Sequence, residues 1–479
     1  MLTAKCEPST TVNADARAEA LFFEGNRHLT AGDAVAAESC FREALELEAD
    51  FAEAHANLAL LLDQDGRVEE AEQHYRQAIR LDPECGQSHL NLGALLAGQK
   101  RFDEAELAYL HAVALIPESP AAWSNFGALQ ACRKREEAAE LSYRKALALD
   151  PEYRSAHFNL AYLLLRQGRF DEGWASFEKR AWYRQLEPRL PCPRWQGEAI
   201  DSRSILIGFE AGHGDMIQFC RYASVLKADG AARVDILCHP GLKALLATLD
   251  GVDHVLAFDE ALPPLRWDWW TPSLSLPFHC RTRLESIPAR LPYLHADPVG
   301  RERWAAELDR LSVPGQLRVG LVWKGNPRFE NDADRSLPSL AALEPLGAIS
   351  GIRWFSLQKG AGEGEATHPP AGLSIVDLAP QLHDFADTAA LIANLDLVVG
   401  VDTAVMHLAG ALARPCWLLL PDYMADWRWL TERRDSPWYP GVMRLFRQAR
   451  MGDWAGAIDE VAEALKDLHA TGLAGLQYT

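Results

Sequence analysis

The chain has 479 residues, 48% of them hydrophobic, and a formal net charge of −19 at pH 7, which suits two or three packed domains. Such acidity argues against nucleic acid, which requires a basic face, and against stable adsorption to an anionic leaflet. No stretch approaches a membrane span, residues 1–20 lack the apolar core of a signal peptide, and nine cysteines without a CxxC pair fit reduced thiols, so a cytoplasmic protein without stable membrane insertion is expected.

The N-terminal third repeats with a period of 34 residues. Ala37, Ala71, Ala105 and Ala139 are in phase, as are Phe41, Tyr75, Tyr109, Tyr143 and Phe177, and so are Pro83, Pro117 and Pro151. Each unit reads as two short helices: small residues where the pair approaches closely, an aromatic in the second helix, and proline at the turn to the next unit. Gly25, Gly93 and Gly127 occupy a helix-packing position. The pattern resembles the tetratricopeptide repeat, in five copies over residues 18–185 behind an expected flexible segment 1–17. In the fifth copy Gly173 and Arg180 stand where alanines are expected, as suits a junction or cap.

Four asparagines, Asn57, Asn91, Asn125 and Asn159, also recur at 34 residues, within His55-Ala-Asn, His89-Leu-Asn, Trp123-Ser-Asn and His157-Phe-Asn. A carboxamide both donates and accepts, so a phased row of them can pair with an extended polypeptide backbone whatever its side chains are. The same residues could instead bond a neighbouring turn. The ladder resembles that of the eukaryotic O-linked N-acetylglucosamine transferases, where it holds acceptor protein.

A Pro-rich linker, residues 186–202, ends the repeats, and strands then alternate with helices, the pattern of a covered parallel sheet. Strands are expected at Arg203 to Glu210, Ala232 to Cys238 and His254 to Phe258, and helices at Met216 to Asp229, Leu242 to Leu249 and Val299 to Leu311. The segment Leu262 to Pro298 reads as irregular. A second series begins with a strand at Leu317 to Trp323 and a helix at Leu337 to Leu346. Strands at Ile352 to Leu357, Leu395 to Val401 and Pro415 to Leu420 follow. Two lobes, 203–312 and 313–467, are expected to face a cleft, with a tail at 468–479. Ligands of such sheets lie beyond the carboxyl ends of the strands.

Three such ends concentrate chemistry. Phe209-Glu-Ala-Gly-His-Gly-Asp-Met opens a helix in the first lobe. Its Asp215 can remove a proton from an acceptor hydroxyl or cap the helix, His213 is an alternative base, and Gln218 is a candidate ligand contact. Val322-Trp-Lys-Gly-Asn-Pro-Arg gathers Lys324, Asn326, Arg328, Asn331 and Arg335. Of these, Lys324 and Arg335 suit neutralising charge on a departing nucleotide phosphate. Asp332-Ala-Asp334 spells a D-x-D string, read here as a surface loop with no metal expected. In Val401-Asp-Thr-Ala-Val-Met-His, Asp402 and Thr403 form a turn and the helix begins at Ala404. Its free amides and dipole suit a phosphate, and His407 can donate to a phosphate or sugar oxygen. An N-cap aspartate with a flanking histidine is the plainer reading of those residues. Tyr423-Met-Ala-Asp-Trp-Arg-Trp and Ser436-Pro-Trp-Tyr-Pro place aromatics around Asp426 and Arg428, as a donor-sugar subsite or as a small aromatic core.

The string D-T-A-x-x-H-L-A-G-A-L resembles the nucleotide-sugar segment of glycosyltransferase family nine, the ADP-heptose heptosyltransferases, over most of 203–465. Those enzymes carry Gly where Ala404 stands. The resemblance gives Asp215 the place of the family's proposed base. It implies a two-lobe GT-B fold that inverts the anomeric centre without a metal or other cofactor, the nucleotide-sugar being a substrate. Together, repeats, Gly-Asp loop, D-T-A-x-x-H, D-W-R-W and S-P-W-Y-P resemble bacterial repeat-bearing glycosyltransferases, including those that modify flagellin. The expected function is therefore protein O-glycosylation of Ser or Thr, with a flagellin-like acceptor held by the repeats. The alternatives are a heptosyltransferase-like glycolipid enzyme using the repeats as an assembly scaffold, and a scaffold without activity.

Overall fold

The architecture is that of a computed structural model, which describes residues 10–471 except 262, 264, 265 and 330. The first nine residues of the expected N-terminal segment, and its tail from residue 472, lie outside the described residues. The chain divides into two compact units, one up to Leu160 and one from Ala161.

The first unit is built from α1 (Thr10–Ala31), α2 (Ala34–Leu47), α3 (Ala52–Gln64), α4 (Val68–Leu81), α5 (Gly86–Gly98), α6 (Phe102–Leu115), α7 (Pro120–Cys132), α8 (Glu136–Leu149) and the start of α9 (Arg154–Arg166). From α3 and from α2 onward, alternate helices begin every 34 residues. The in-phase alanines and aromatics are the core: Ala37, Ala71, Ala105, Ala139, Phe41, Tyr75, Tyr109 and Tyr143 are all buried. Gly93 shows why the packing position must be small. A β-carbon there would lie 2.7 Å from the Tyr109 ring, inside any real carbon–carbon contact.

The residue two places before each ladder asparagine has a structural task. His55 Nε2 bonds Ala49 O at 3.0 Å, His89 Nε2 bonds Pro83 O at 3.1 Å, Trp123 Nε1 donates to Pro117 O at 2.8 Å, and His157 Nε2 bonds Pro151 O at 2.9 Å. A ring nitrogen thereby satisfies a carbonyl just past the end of the preceding helix, where intrahelical partners run out.

The second unit begins with the end of α9 and α10 (Phe170–Phe177), and here the departures from the repeat pattern find their reasons. A β-carbon on Gly173 would sit 2.7 Å from Leu165 Cδ2. Trp174 donates to Thr282 O at 3.0 Å and meets Trp427 edge-on at 5.1 Å. Arg180 is buried against Glu210. These residues belong to the core of the second unit.

Its first sheet comprises β1 (Ser204–Gly208), β2 (Arg233–Cys238), β3 (His254–Ala257) and β4 (Trp269–Pro272) in the order β3-β2-β1-β4, all parallel. Between β1 and β2 lie α11 (His213–Phe219) and α12 (Tyr222–Ala228), then α13 (Lys243–Leu246) before β3 and α14 (Leu276–His279) after β4. The single helix expected at 216–229 is broken because Arg221 Nε donates to the Gln218 carbonyl at 2.8 Å, an oxygen that a continuing helix would use. β4 falls within the stretch expected to be irregular.

After α15 (Pro298–Leu311), the second sheet runs β10-β9-β8-β5-β6-β7, again with every pairing parallel. Its strands are β5 (Leu317–Val322), β6 (Ile352–Ser356), β7 (Ile375–Asp377), β8 (Leu397–Val401), β9 (Cys416–Leu420) and β10 (Met443–Arg447). α16 (Asp332–Arg335), α17 (Phe385–Ile392), α18 (Ala404–Ala411) and α19 (Trp454–Thr471) complete it. β8 and β9 are buried at every residue, as continuous apolar runs in covered parallel sheets should be. The helix expected at Leu337 to Leu346 is a 3-10 helix at Leu340–Ala348. Pro345 inside it lacks the N–H that an α-helix requires.

Candidate functional site

Two helix N-termini converge in the second unit. α11 begins beyond β1 and α18 beyond β8, each at the carboxyl end of a central strand. Gly214 makes the approach possible: a β-carbon there would lie 2.9 Å from His407 Cδ2 and 3.4 Å from Ala404 Cα. Ala211, leading into α11, holds a left-handed φ of 60°, a conformation L residues seldom adopt outside constrained loops.

Asp215 both caps α11 and pairs with Arg428. Its Oδ2 accepts from Gly212 N at 2.8 Å, while Oδ1 accepts from Arg428 Nη2, and 23% of the side chain remains exposed. Burial pushes its carboxyl above the ordinary aspartate value, opposed by Arg428 and the Gly212 N–H. The other base candidate, His213, lies apart from this ion pair. Its ring packs 4.5 Å from His239 and stacks 5.2 Å from Phe385, and burial lowers its pKa.

At the second terminus, neither Asp402 nor Thr403 caps α18 through its side chain. Asp402 Oδ2 instead accepts from Trp429 Nε1 at 2.8 Å, and Thr403 Oγ1 is buried without a partner. The first-turn amides at Ala404 therefore stay available to an anion. Burial, with Asp426 adding to it, pushes Asp402 up to about 6 against the pull of Arg335. His407 bonds Tyr439 through Nδ1 at 2.8 Å and stacks on Trp429 at 5.3 Å. Burial first, then Arg428, Arg221 and Arg335, hold its pKa well below the usual imidazole range, so the ring is neutral. Its Nε2 lies 3.8 Å from Asp402 Oδ1, beyond a hydrogen bond.

The cations beyond β5 are poised differently. Lys324 Nζ sits 3.1 Å from Glu365 Oε1. Arg335 bonds Asp332 Oδ1 at 3.2 Å, lies 4.2 Å over the Phe329 ring, and its charge acts on Asp402 and His407. In the D-x-D string, Asp332 is thus committed to Arg335. Asn331 donates to Met424 O at 3.2 Å, leaving Oδ1 buried without a partner.

The aromatic motifs form a core. Trp427, Trp429, Trp438 and Tyr439 are at most 1% exposed, which leaves no ring face for a sugar. Their polar neighbours do the distinctive work. Arg428 bonds both oxygens of Asp426 at 3.0 and 2.9 Å and Gln218 Oε1 at 2.5 Å, besides Asp215. Burial disfavours its charge, and Asp426 and Asp215 more than offset that. Gln218 is fully buried with Nε2 unpartnered. Tyr162, on the part of α9 that belongs to the second unit, lies in the field of Asp426, Arg428, Asp215 and Asp402. Tyr162 escaped the sequence reading because nothing local marks a tyrosine that meets a site through distant chain.

In the first unit the ladder asparagines are half-buried. Asn57 Nδ2 donates to Asn26 Oδ1 at 2.7 Å, and Asn91 Oδ1 accepts from Gln87 Nε2 at 2.8 Å. Part of their capacity thus serves the repeat itself. Among the described residues, no group of three or more His, Cys, Asp or Glu is placed to hold a metal, and no helix is long and apolar enough to cross a membrane.

Comparison with known proteins finds both kinds of region in the chain. A tetratricopeptide repeat model matches residues 24–84, 66–120 and 133–182, and the model of glycosyltransferase family 9 (heptosyltransferase) matches 351–418, which includes Asp402 to His407. The chain is 29% identical over 336 residues to Protein FlbA of Caulobacter vibrioides, covering 66% of this chain and 55% of that one, so it spans about half the length of this curated relative. Among solved structures, PilF of Pseudomonas aeruginosa is 27% identical, covering 35% of this chain and 76% of that one with a TM-score of 0.33. MamA of Desulfovibrio magneticus RS-1 is 21% identical, covering 36% and 97% with a TM-score of 0.31.

Proposed function

We propose that this chain, in which tetratricopeptide repeats precede a family 9 glycosyltransferase segment, transfers a sugar from a nucleotide-sugar to a Ser or Thr hydroxyl of a polypeptide acceptor. The observation that carries the reading is the convergence of the uncapped α18 terminus with the α11 terminus bearing Asp215, each beyond a strand of a different parallel sheet; it supports a two-lobe GT-B arrangement. The donor phosphate sits at the amides around Ala404, with Thr403 Oγ1 as a further donor. Arg335 and Lys324 neutralise the charge that grows on the leaving nucleotide, Lys324 by releasing Glu365, so that no metal is required. His407 Nδ1 and Tyr439 O–H share a hydrogen bond; in the tautomer where the phenol donates, the Nε2–H of the neutral ring serves as a donor. Asp215 takes the acceptor hydroxyl's proton as the oxygen attacks the anomeric carbon from the face opposite the nucleotide, inverting that centre.

The ladder of Asn57, Asn91, Asn125 and Asn159 favours a polypeptide acceptor, for which the flagellin-like protein expected from the sequence is the first candidate. The heptosyltransferase description of the matching family supports a glycolipid acceptor as the second reading. Intact-mass comparison of cellular proteins with and without the gene separates them. The reading predicts that at least one protein loses the mass of one or more sugars on deletion; unchanged protein masses with a truncated glycolipid overturn it in favour of the second.

A further inference from the structure

Arg428 occupies an unusual place for a residue near an anionic donor. It reaches from the turn beyond β9 in the second lobe to α11 in the first, and only 7% of its side chain is exposed. All three guanidinium nitrogens are engaged: Nε with Gln218, Nη1 with both oxygens of Asp426, and Nη2 with Asp215. Its own backbone N–H also bonds Asp426 Oδ1, at 2.9 Å. A guanidinium locked in this way has its planar fork matched to two carboxylates. A phosphate could reach it only by dismantling that arrangement, whereas Lys324 and Arg335 each have one carboxylate partner and greater exposure.

We propose that Arg428 is the positioning residue of the transfer reaction: held by Asp426 and Gln218, it fixes the orientation of Asp215 from the opposite lobe and does not hold the donor. The inference rests on the reading of Asp215 as the base. Because the pair spans both lobes, the base is aligned only while they are closed on one another.

Two consequences have opposite signs. Arg428 lowers the Asp215 pKa and Asp426 raises it; Asp215 also shares its surroundings with Glu210 in its own loop and with Tyr162 from α9. Removing the Arg428 charge moves the acid limb of the rate profile to higher pH, and removing the Asp426 charge moves it to lower pH.

The test uses the purified full chain. Binding of ADP, UDP, GDP and CMP is measured calorimetrically, and the nucleotide that binds is followed in the variants. Arg428→Gln should lower kcat about 100-fold and raise the acid limb by about one pH unit, with nucleotide affinity unchanged within about twofold. Arg428→Lys should recover part of kcat, and Asp426→Asn should shift the limb downward. Nucleotide affinity falling in step with kcat, or limbs that stay in place in both variants, overturns the positioning role. Asp215→Asn run alongside isolates the underlying reading: full activity in that variant removes Asp215 as the base, whereas inactivity with unmoved limbs in the others removes only the role of Arg428.

Discussion

Replacing Arg180 by Met should destabilise the second unit more than any ordinary surface change, because it strands a buried carboxylate. Arg180 and Glu210 keep 1% and 2% of their side-chain exposure; Arg180 Nε and Nη2 bond the two Glu210 oxygens at 2.9 and 2.8 Å, and Nη2 also reaches Ser275 Oγ at 2.9 Å. Removing one partner of such a pair typically costs about 3–5 kcal/mol, while removing both can be nearly neutral. Arg180→Met should lose an amount of that order; Glu210→Gln should lose less, because Arg180 Nη1 keeps Glu178 Oε1 at 2.7 Å, and the double variant should lose less than the sum. Tryptophan fluorescence during urea unfolding is selective for this unit, since Trp123 is the only one of the fifteen tryptophans before residue 161. The pH dependence supplies a sign. Burial already holds the Glu210 carboxyl above its usual value with Arg180 opposing it. A folded-state pKa above the unfolded one makes stability fall as pH rises toward the folded value, so Arg180→Met should be less destabilised at pH 5 than at pH 8. Single variants within about 0.5 kcal/mol of wild type, or strictly additive losses, would refute the reasoning.

Gly214→Ala should force α11 and α18 apart, at about 1–3 kcal/mol for overpacking, and weaken nucleotide binding; unchanged binding by calorimetry would show that the helix approach is not needed. His407 stays neutral in the fold but takes a proton near pH 6.5 when unfolded. The second unit should therefore lose stability as pH falls through about 6.5, and His407→Gln should lose less between pH 7.5 and 5 in the same fluorescence assay. Equal losses in both proteins would contradict that protonation argument. Changing all four ladder asparagines to Ala should weaken capture of acceptor while leaving nucleotide affinity intact. Because Asn57 bonds Asn26, thermal unfolding of each single variant should show the largest stability loss at Asn57, and equal losses at all four would contradict the unequal internal bonding.

How much of this was legible in the sequence depended on the length scale of each signal. The 34-residue period marked the repeats because identical helix pairs bury the same alanines and aromatics. β8 and α18 were equally clear, an apolar run followed by Asp402, Thr403 and a small-residue helix. β4, β7 and β10 escaped: β4 lies in a stretch rich in Pro and Trp, β7 has only three residues, and β10 is interrupted by Arg444 and Arg447, so none reads as a buried apolar run. The departures at Gly173 and Arg180 looked like decay of a repeat; one admits Leu165 and the other pairs Glu210. Arg428 and Asp215 are 213 positions apart, and only tertiary contact reveals that the arginine engages this aspartate. For the tryptophans of the D-W-R-W and S-P-W-Y-P strings the sequence left sugar subsite and aromatic core open, and their burial decides for core.

The central claim is tested most directly by reconstitution. Purified full-length protein is incubated with a nucleotide-sugar and a polypeptide acceptor identified by the deletion comparison, and the acceptor's intact mass is followed. The account predicts an increase equal to one or more transferred sugar residues, abolished in Asp215→Asn while nucleotide binding persists. An acceptor that gains the same mass with the Asp215→Asn protein, or a sugar that appears only on lipid, would contradict it.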